Sequence, residues 1–485
     1  MSILRQFGRA DLMPILVASL FIAGCGGGGD SPSAQAATSS TASASSTIAA
    51  GTTAASTGGT TTVAAATPVA ATATAAAISG TNLIVNPNFS QGVTGWSLYW
   101  SAIVPSELRS GGSALRLNGT ASQPLSSSTI LPHHSYEMAV TGRNATGTGS
   151  AVVAVTFRLP NSTTTFRTFS RAITPGPSAT YVIDFTAPEY TGNVDFSVVC
   201  GYAGGVLIDT VSVKEIDPIS QTEPITSPDN SYAPAGYTLK FNDEFNGTAL
   251  NRSKWFTRYI YGSETTDHLN DEKERYRDNG NQVVANGVLS LVAKKVANAA
   301  NGVNYESGMI RSDWTARYGY FAARVKMPKG VGVWPAFWLN SDVSAAGRMG
   351  WPPEIDIFEY VNNGVEDKPN MFHSAMSGGA LSTLQWASPN FNTSMQEYIG
   401  TTNFDEDWHI FGCRWDETSV TVYLDGNKIY TRNFAWNYAD GTLAGPAHIL
   451  LNLAIGGAWA GRHGIDDGAF PQALQIDWVR AYQKD

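Results

Sequence analysis

Trp351-Pro-Pro-Glu354-Ile-Asp356-Ile-Phe-Glu359-Tyr360 places three carboxylates within six residues. Ile355 and Ile357 alternate with Glu354 and Asp356, the period of two expected of a strand with one face in a core. Strict alternation would bring Phe358 to the acidic face next, and Glu359 arrives one residue late. A single inserted residue, a β-bulge, returns Glu359 to the side of the other two. Three aligned acids repel one another, so chemistry explains the row better than stability does. Two carboxylates on either side of a bound chain suit glycosidic bond cleavage, one as nucleophile and one as proton donor. Four strand steps separate the outer pair by roughly 13 Å of backbone, a gap that two inward-leaning glutamates shorten. Asp356 between them would hydrogen-bond the nucleophile and help set the order of protons. A calcium site and a solvated acidic face are the alternatives this stretch alone leaves open.

The rest of the chain supplies the setting. With 485 residues, 43% hydrophobic and 15% charged, it can form two or three domains with cores. A net charge of −9 argues against nucleic acid or an anionic membrane surface as partner. Residues 1–25 have the pattern of a signal peptide: Arg5 and Arg9, then an apolar run from Leu12 to Ala23 too short to span a bilayer. Residues 26–80 are almost all Ala, Ser, Thr and Gly and lack the side chains that offset ordering entropy, so they are expected to be a disordered tether. Residues 81–216 carry short apolar or alternating runs, such as Ala151–Leu159 and Val194–Val199, punctuated by turn residues. They predict a separate β-sandwich. Residues 217–234 hold four prolines and read as a second, stiffer linker. Asn286-Gly287 and Asp425-Gly426 are turn signals inside a second all-β domain at 235–485. Cys200 and Cys413 fall in different domains and are expected as two buried free thiols. His133-His134 is expected at the surface, and His409 as a structural histidine.

Glu354-Ile-Asp356-Ile-Phe-Glu359 resembles the active-site signature of glycoside hydrolase family 16 in its bulged form. The resemblance extends over most of 235–485: Phe241-Asn-Asp-Glu244-Phe-Asn, Tyr318-Gly-Tyr-Phe, Gly332-Val-Trp334-Pro-Ala-Phe-Trp338-Leu, Leu453-Ala-Ile-Gly-Gly-Ala-Trp459 and Ile476-Asp477-Trp-Val-Arg480-Ala-Tyr482 follow the family's order. It implies a two-sheet jelly roll with Glu354 as nucleophile, Glu359 as acid and then base, and Asp356 as their support. It also implies subsite residues. Asn270, in Asn270-Asp-Glu272-Lys-Glu274-Arg-Tyr276, would lie at the glycone side, where Glu274 replaces the usual glutamine. Arg311 would contact a sugar hydroxyl. Trp334 and Trp338 would flank the cleaved bond, His373 would lie near the leaving group, and Trp459 would add a platform. Ala322 stands where a glutamate is common. Glu244, Gly280 and Asp477 correspond loosely to a structural calcium site of many relatives. No other cofactor is implied.

Two further resemblances lie upstream. Ile22-Ala-Gly-Cys25 is similar to a bacterial lipobox, implying lipidation of Cys25 and an envelope-anchored enzyme. An ordinary signal peptide and a secreted protein are the alternative. Asn82-Leu-Ile-Val-Asn-Pro-Asn-Phe89, Gly95-Trp96 and Ile208-Asp-Thr-Val-Ser-Val213 resemble the ends of carbohydrate-binding module families 4 and 9. There Trp96 is expected in the core, while Tyr99 and Trp100 divide evenly between core and sugar platform. The expected whole is a monomer acting internally on a β-1,3- or mixed β-1,3/1,4-glucan, as laminarinases do. A β-galactan, a bacterial exopolysaccharide, transglycosylation, or a surface polysaccharide-binding protein without catalysis are the alternatives.

Overall fold

Strand alternation sorts the side chains of the second domain into a core and a cleft. In the strand Val333–Ser341, Val333, Phe337 and Leu339 enter the main core. Trp334, Ala336 and Trp338 on the other face do not. The strand Ala447–Ile455 divides in the same way, Ile449, Leu451 and Leu453 inward and Asn452 and Ala454 outward. In this computed structural model the described residues are 80–485 except 127, 145–150, 201–205, 227–232, 261–267, 297–302 and 380–390. Cys25, the signal segment and nearly all of the Ala/Ser/Thr-rich stretch lie outside them.

The cleft-bearing sheet has seven strands in the order Trp255–Phe256, Met309–Ala316, Ala447–Ile455, Val333–Ser341, Glu354–Glu359, Met371–Gly379, Phe391–Ile399. A ten-stranded sheet, with Gly319–Lys326 beside Gln472–Lys484 near its middle, lies across the core from it. Phe321, Ala323 and Val325 meet Phe337, Leu339 and Ile355 in that core, which makes the two-sheet jelly roll the sequence predicts. Among the described residues the only helices are the short turns Gly457–Ala460 and Asp467–Ala469. None is long and apolar enough to cross a membrane. Gly287 and Gly426 take the positive φ of hairpin turns, 76° for both.

The first domain joins eight strands between Ser97 and Ile216 in one hydrogen-bonded sheet, folded around its own core. Trp96 belongs to that core and donates its indole N–H to the Asn86 carbonyl at 3.2 Å. Cys200 is buried in the first sandwich, and Cys413 is a free, buried thiol of the second. The two sandwiches are docked on one another. Phe169 packs against Phe256 at 5.1 Å, and Val343 of the second domain joins the core of the first. The described part of the segment between them is also held, since the Ile219 N–H donates to Ser135 and the Glu223 N–H to Asn242.

Candidate active site

The bulge is present. Phe337 pairs with Phe358 but Trp338 pairs with Asp356, leaving Ile357 as the extra residue. Ile357 and Phe358 therefore both turn into the core, each fully buried. Their double inward turn brings Glu359 back to the face of Glu354 and Asp356, and all three line one cavity with Asn270, Glu272, Trp334, Trp338 and Asn452. The reason is packing. Two adjacent apolar side chains gain more in the core than regular pleating would, and the strand kinks to allow it.

Charge is concentrated where water is scarce. Burial first, then the charge of Glu359, pushes Glu354 up to about 8. Burial, then Glu354 and Glu359, pushes Asp356 well above the carboxylate range. Burial raises Glu359 to about 7, against the pull of His373 and the Trp334 indole. Burial and mutual repulsion push all three carboxyls the same way, toward their neutral forms, so they titrate as one set. Polar neighbours act against this. Trp351 and Asn340, the latter paired with Glu354 across the strands, oppose that rise at Glu354, and Trp334 Nε1 donates to Glu359 at 3.2 Å.

A second group of residues surrounds Glu359. His373, its cross-strand neighbour, meets Asp367 with Nε2 at 2.6 Å from Oδ1. The other Asp367 oxygen accepts from Trp459 Nε1 at 2.9 Å and from Asn363 Nδ2 at 2.7 Å. The Trp459 ring lies 5.1 Å from Trp334 and 4.9 Å from His373. Asp367 is thus a hub joining His373, Trp459 and Asn363 beside Glu359, and no motif in the sequence marks it. On the opposite wall Asn270 bonds Glu272 through both its backbone N–H and its side chain. Trp338 Nε1 donates to Asn452, and Asn452 donates to the Tyr276 hydroxyl.

Two expectations need correction, the sugar contact of Arg311 and the calcium set, and the two departures from the resemblance, Glu274 and Ala322, find their places. Arg311 does not reach the cleft. It is fully buried, stacks 4.4 Å from the Phe256 ring and donates Nε to the Arg258 carbonyl, because its strand turns that position toward the first domain. Glu274 is likewise buried beneath the cleft wall and accepts the Ile455 N–H at 2.8 Å. Burial, then Glu272, pushes it up to about 8, so at neutral pH it carries a proton, as neutral as the glutamine it replaces. Ala322 packs with Tyr320, Ile410 and Trp478 on the outer sheet and has no bearing on substrate. Glu244, Gly280 and Asp477 do not form a shared ligand set. Both Glu244 oxygens are taken by Arg480 at 2.8 Å, Asp477 pairs with Arg324, and Gly280 is a turn residue at φ 79°. Among the described residues no three His, Cys, Asp or Glu side chains gather into a metal cluster.

In the first domain Tyr99 and Trp100 are 63% and 58% exposed and stack at 5.2 Å with their rings nearly parallel. His134 pairs with Glu215 at the surface, and His409 with Asp425.

Residues 238–484 match the family model described as "Beta-porphyranase A-D, GH16 domain". Among curated proteins the chain is 29% identical over 269 residues to glucan endo-1,3-beta-glucosidase A1 of Niallia circulans, covering 52% of this chain and 38% of that one. It is 29% identical over 265 residues to endo-1,3-1,4-beta-glycanase ExsH of Rhizobium meliloti, covering 50% of this chain and 51% of that one. The match thus spans about half or less of the length of these two relatives. Among solved structures, the laminarinase catalytic domain from Thermotoga maritima superposes with a TM-score of 0.42 at 26% identity, over 51% of this chain and 99% of that one.

Proposed function

The chain belongs to glycoside hydrolase family 16, and from that premise we propose that it is an endo-acting, retaining hydrolase of β-1,3- or mixed β-1,3/1,4-glucan. The observation that carries the reading is the bulge at Ile357, since it turns a row of acids into two glutamates facing one cavity. Glu354 attacks the anomeric carbon while Glu359 gives its proton to the leaving oxygen. Water, deprotonated by Glu359, then releases the glycosyl-enzyme with net retention. Asp356 stands between them on the same face of the strand, and a proton on it would favour the Glu354 anion. Glu354 and Glu359 line the same cavity, which supports a facing pair. Trp334, Trp338 and Trp459 offer ring faces for sugars, Asn270 a polar contact, and His373 a polar neighbour for the leaving-group side.

The described residues lining the cavity include carboxylates, amides and tryptophans but no lysine or arginine. A neutral glucan suits that lining better than an anionic galactan, which calls for cationic donors. The glucan-cleaving names of the relatives point the same way. The porphyranase name of the family model favours a β-galactan as the second reading. The exposed Tyr99–Trp100 pair supports a carbohydrate-binding role for the first domain. We propose lipidation at Cys25 and a monomer held at the bacterial envelope. The purified protein incubated with laminarin, lichenan, agarose and carrageenan tests the proposal. Reducing ends from the glucans that vanish in Glu354→Gln support it, whereas binding without release leaves a lectin-like protein.

A further inference from the structure

We infer that the first sandwich closes the cleft at its far edge: Phe169 and Arg167 hold the strand Trp255–Phe256, which sets Tyr259 in the cleft wall and so determines how tightly a glucan is bound. This rests on the proposed reading of the cavity as a glucan cleft.

One row of cross-strand partners connects the acids to the first domain. Asp356 pairs with Trp338, Trp338 with Leu450, Leu450 with Arg311 and Arg311 with Phe256. Residues directly opposite one another share a face of a sheet, so Phe256 lies on the face that carries the acids, at the edge of the same sheet. There the first sandwich covers it. Phe256 packs against the core of that domain, its ring 5.1 Å from that of Phe169. The guanidinium of Arg311 lies 4.4 Å from the Phe256 ring and that of Arg167 5.6 Å, both within reach of a cation–π attraction. Arg167 is fully buried and also donates Nη1 to Asp313 at 2.7 Å and Nη2 to Asp342 at 2.6 Å. This forked cation ties the first domain to the strand Met309–Ala316 and to the end of Val333–Ser341.

The covered strand needs that hold. Trp255–Phe256 is two residues long and, among the described residues, pairs with Met309–Ala316 alone, so its few ladder hydrogen bonds do little to place it. Three residues beyond Phe256, Tyr259 lines the cavity of the three acids. Arg311 Nε donates to the Arg258 carbonyl at 3.0 Å, so the residue stacked on Phe256 also fastens the peptide that leads into Tyr259. The Tyr259 ring stands 6.1 Å from Trp338 and 5.4 Å from Tyr276. The Tyr276 hydroxyl is in turn linked to Trp338 through Asn452. A shift of the edge strand therefore moves the wall on which a sugar would rest. Glu354 and Glu359 stay in place, because their strand is paired on both sides. Phe169 and Arg167 are thus positioning residues, and their effect falls on binding.

The full-length chain with Phe169→Leu, Phe256→Leu, Tyr259→Ala and the Phe256→Leu/Tyr259→Ala pair tests this on laminarin. Phe169→Leu and Phe256→Leu should each raise KM roughly fivefold and leave kcat within about twofold of wild type, the pattern of binding lost equally from ground and transition state. A domain contact that served stability alone would lower Tm and leave KM where it is. In the Tyr259→Ala background Phe256→Leu should add little to KM, because the two act through one wall. Titration of laminarin oligosaccharides into the same variants carrying Glu354→Gln should show the same weakening without turnover. Folded variants with wild-type KM overturn the inference, and so does full additivity of Phe256→Leu with Tyr259→Ala. If Phe169→Leu does not fold, Phe256→Leu, at a half-buried position on the edge strand itself, decides alone. A wild-type protein that neither binds nor cleaves laminarin removes the glucan reading and this inference with it. Wild-type turnover beside an unmoved KM in Phe256→Leu removes the inference only.

Discussion

The Trp334 indole N–H donates to the Glu359 carboxylate at 3.2 Å, so the residue proposed as a sugar platform also acts on the proposed proton donor. A donor to a carboxylate favours its anion. Trp334→Phe keeps the ring and removes that donor, so Glu359 should hold its proton to higher pH. The basic limb of kcat/KM, measured as reducing ends released against pH, should move upward.

His373 acts on Glu359 in the same sense, its charge pulling the acid down. His373→Gln should therefore also shift the basic limb upward. Asp367→Asn should follow it, because an amide offers one acceptor oxygen where His373 Nε2 and Trp459 Nε1 now each have their own. A basic limb unmoved in both variants would count against the hub.

Loss of either glutamate should be severe. Glu359→Gln removes general acid–base assistance and should lower kcat roughly 10²–10⁴-fold. Glu354→Gln should leave no measurable turnover. Binding of laminarin in calorimetry should survive both.

Stability should fall with alkali. The folded-state pKa values of Glu274 and Glu354, about 8, exceed the ordinary carboxylate value, so the folded state binds more protons between them. That stabilisation is full below about pH 4 and is lost as pH rises toward 8. Glu274→Gln keeps an acceptor for the Ile455 N–H without a charge. It should raise stability at pH 8–9 by about 5 kcal/mol at most, read as a higher Tm, and leave Tm near pH 4 unchanged.

Arg480 and Glu244 form a two-pronged ion pair that is nearly fully buried. Removing one partner strands the other, so Arg480→Met should cost about 3–5 kcal/mol in denaturant unfolding. EDTA should leave the wild-type Tm where it is. A drop on chelation would mean that Glu244 and Asp477 serve a cation after all.

Tyr99→Ala and Trp100→Ala, on exposed rings stacked together, should weaken retention on insoluble glucan roughly three- to tenfold each, read by pull-down.

Much of the site was legible because its logic is local. The alternation of Glu354, Ile355, Asp356 and Ile357, and the one-residue delay of Glu359, state the bulge within six residues. Trp334 and Trp338, four apart on one strand, must share a face. Arg311 misled because its strand position is equally consistent with a cleft or a domain contact. Only the docking of Phe256 and the first sandwich shows which. Asp367 was invisible because its partners, Trp459 and Asn363, lie 92 and 4 residues away, and nothing in its neighbours sets it apart.

From its sequence alone this protein was determined to be two β domains with an acidic trio on a kinked strand, since side-chain periodicity and bulges depend on adjacent residues. Tertiary structure decided which polar groups surround the trio, and that the first domain is docked rather than tethered. Arg167 and Asp342 meet across 175 residues, and a contact of that range depends on how two finished surfaces pack.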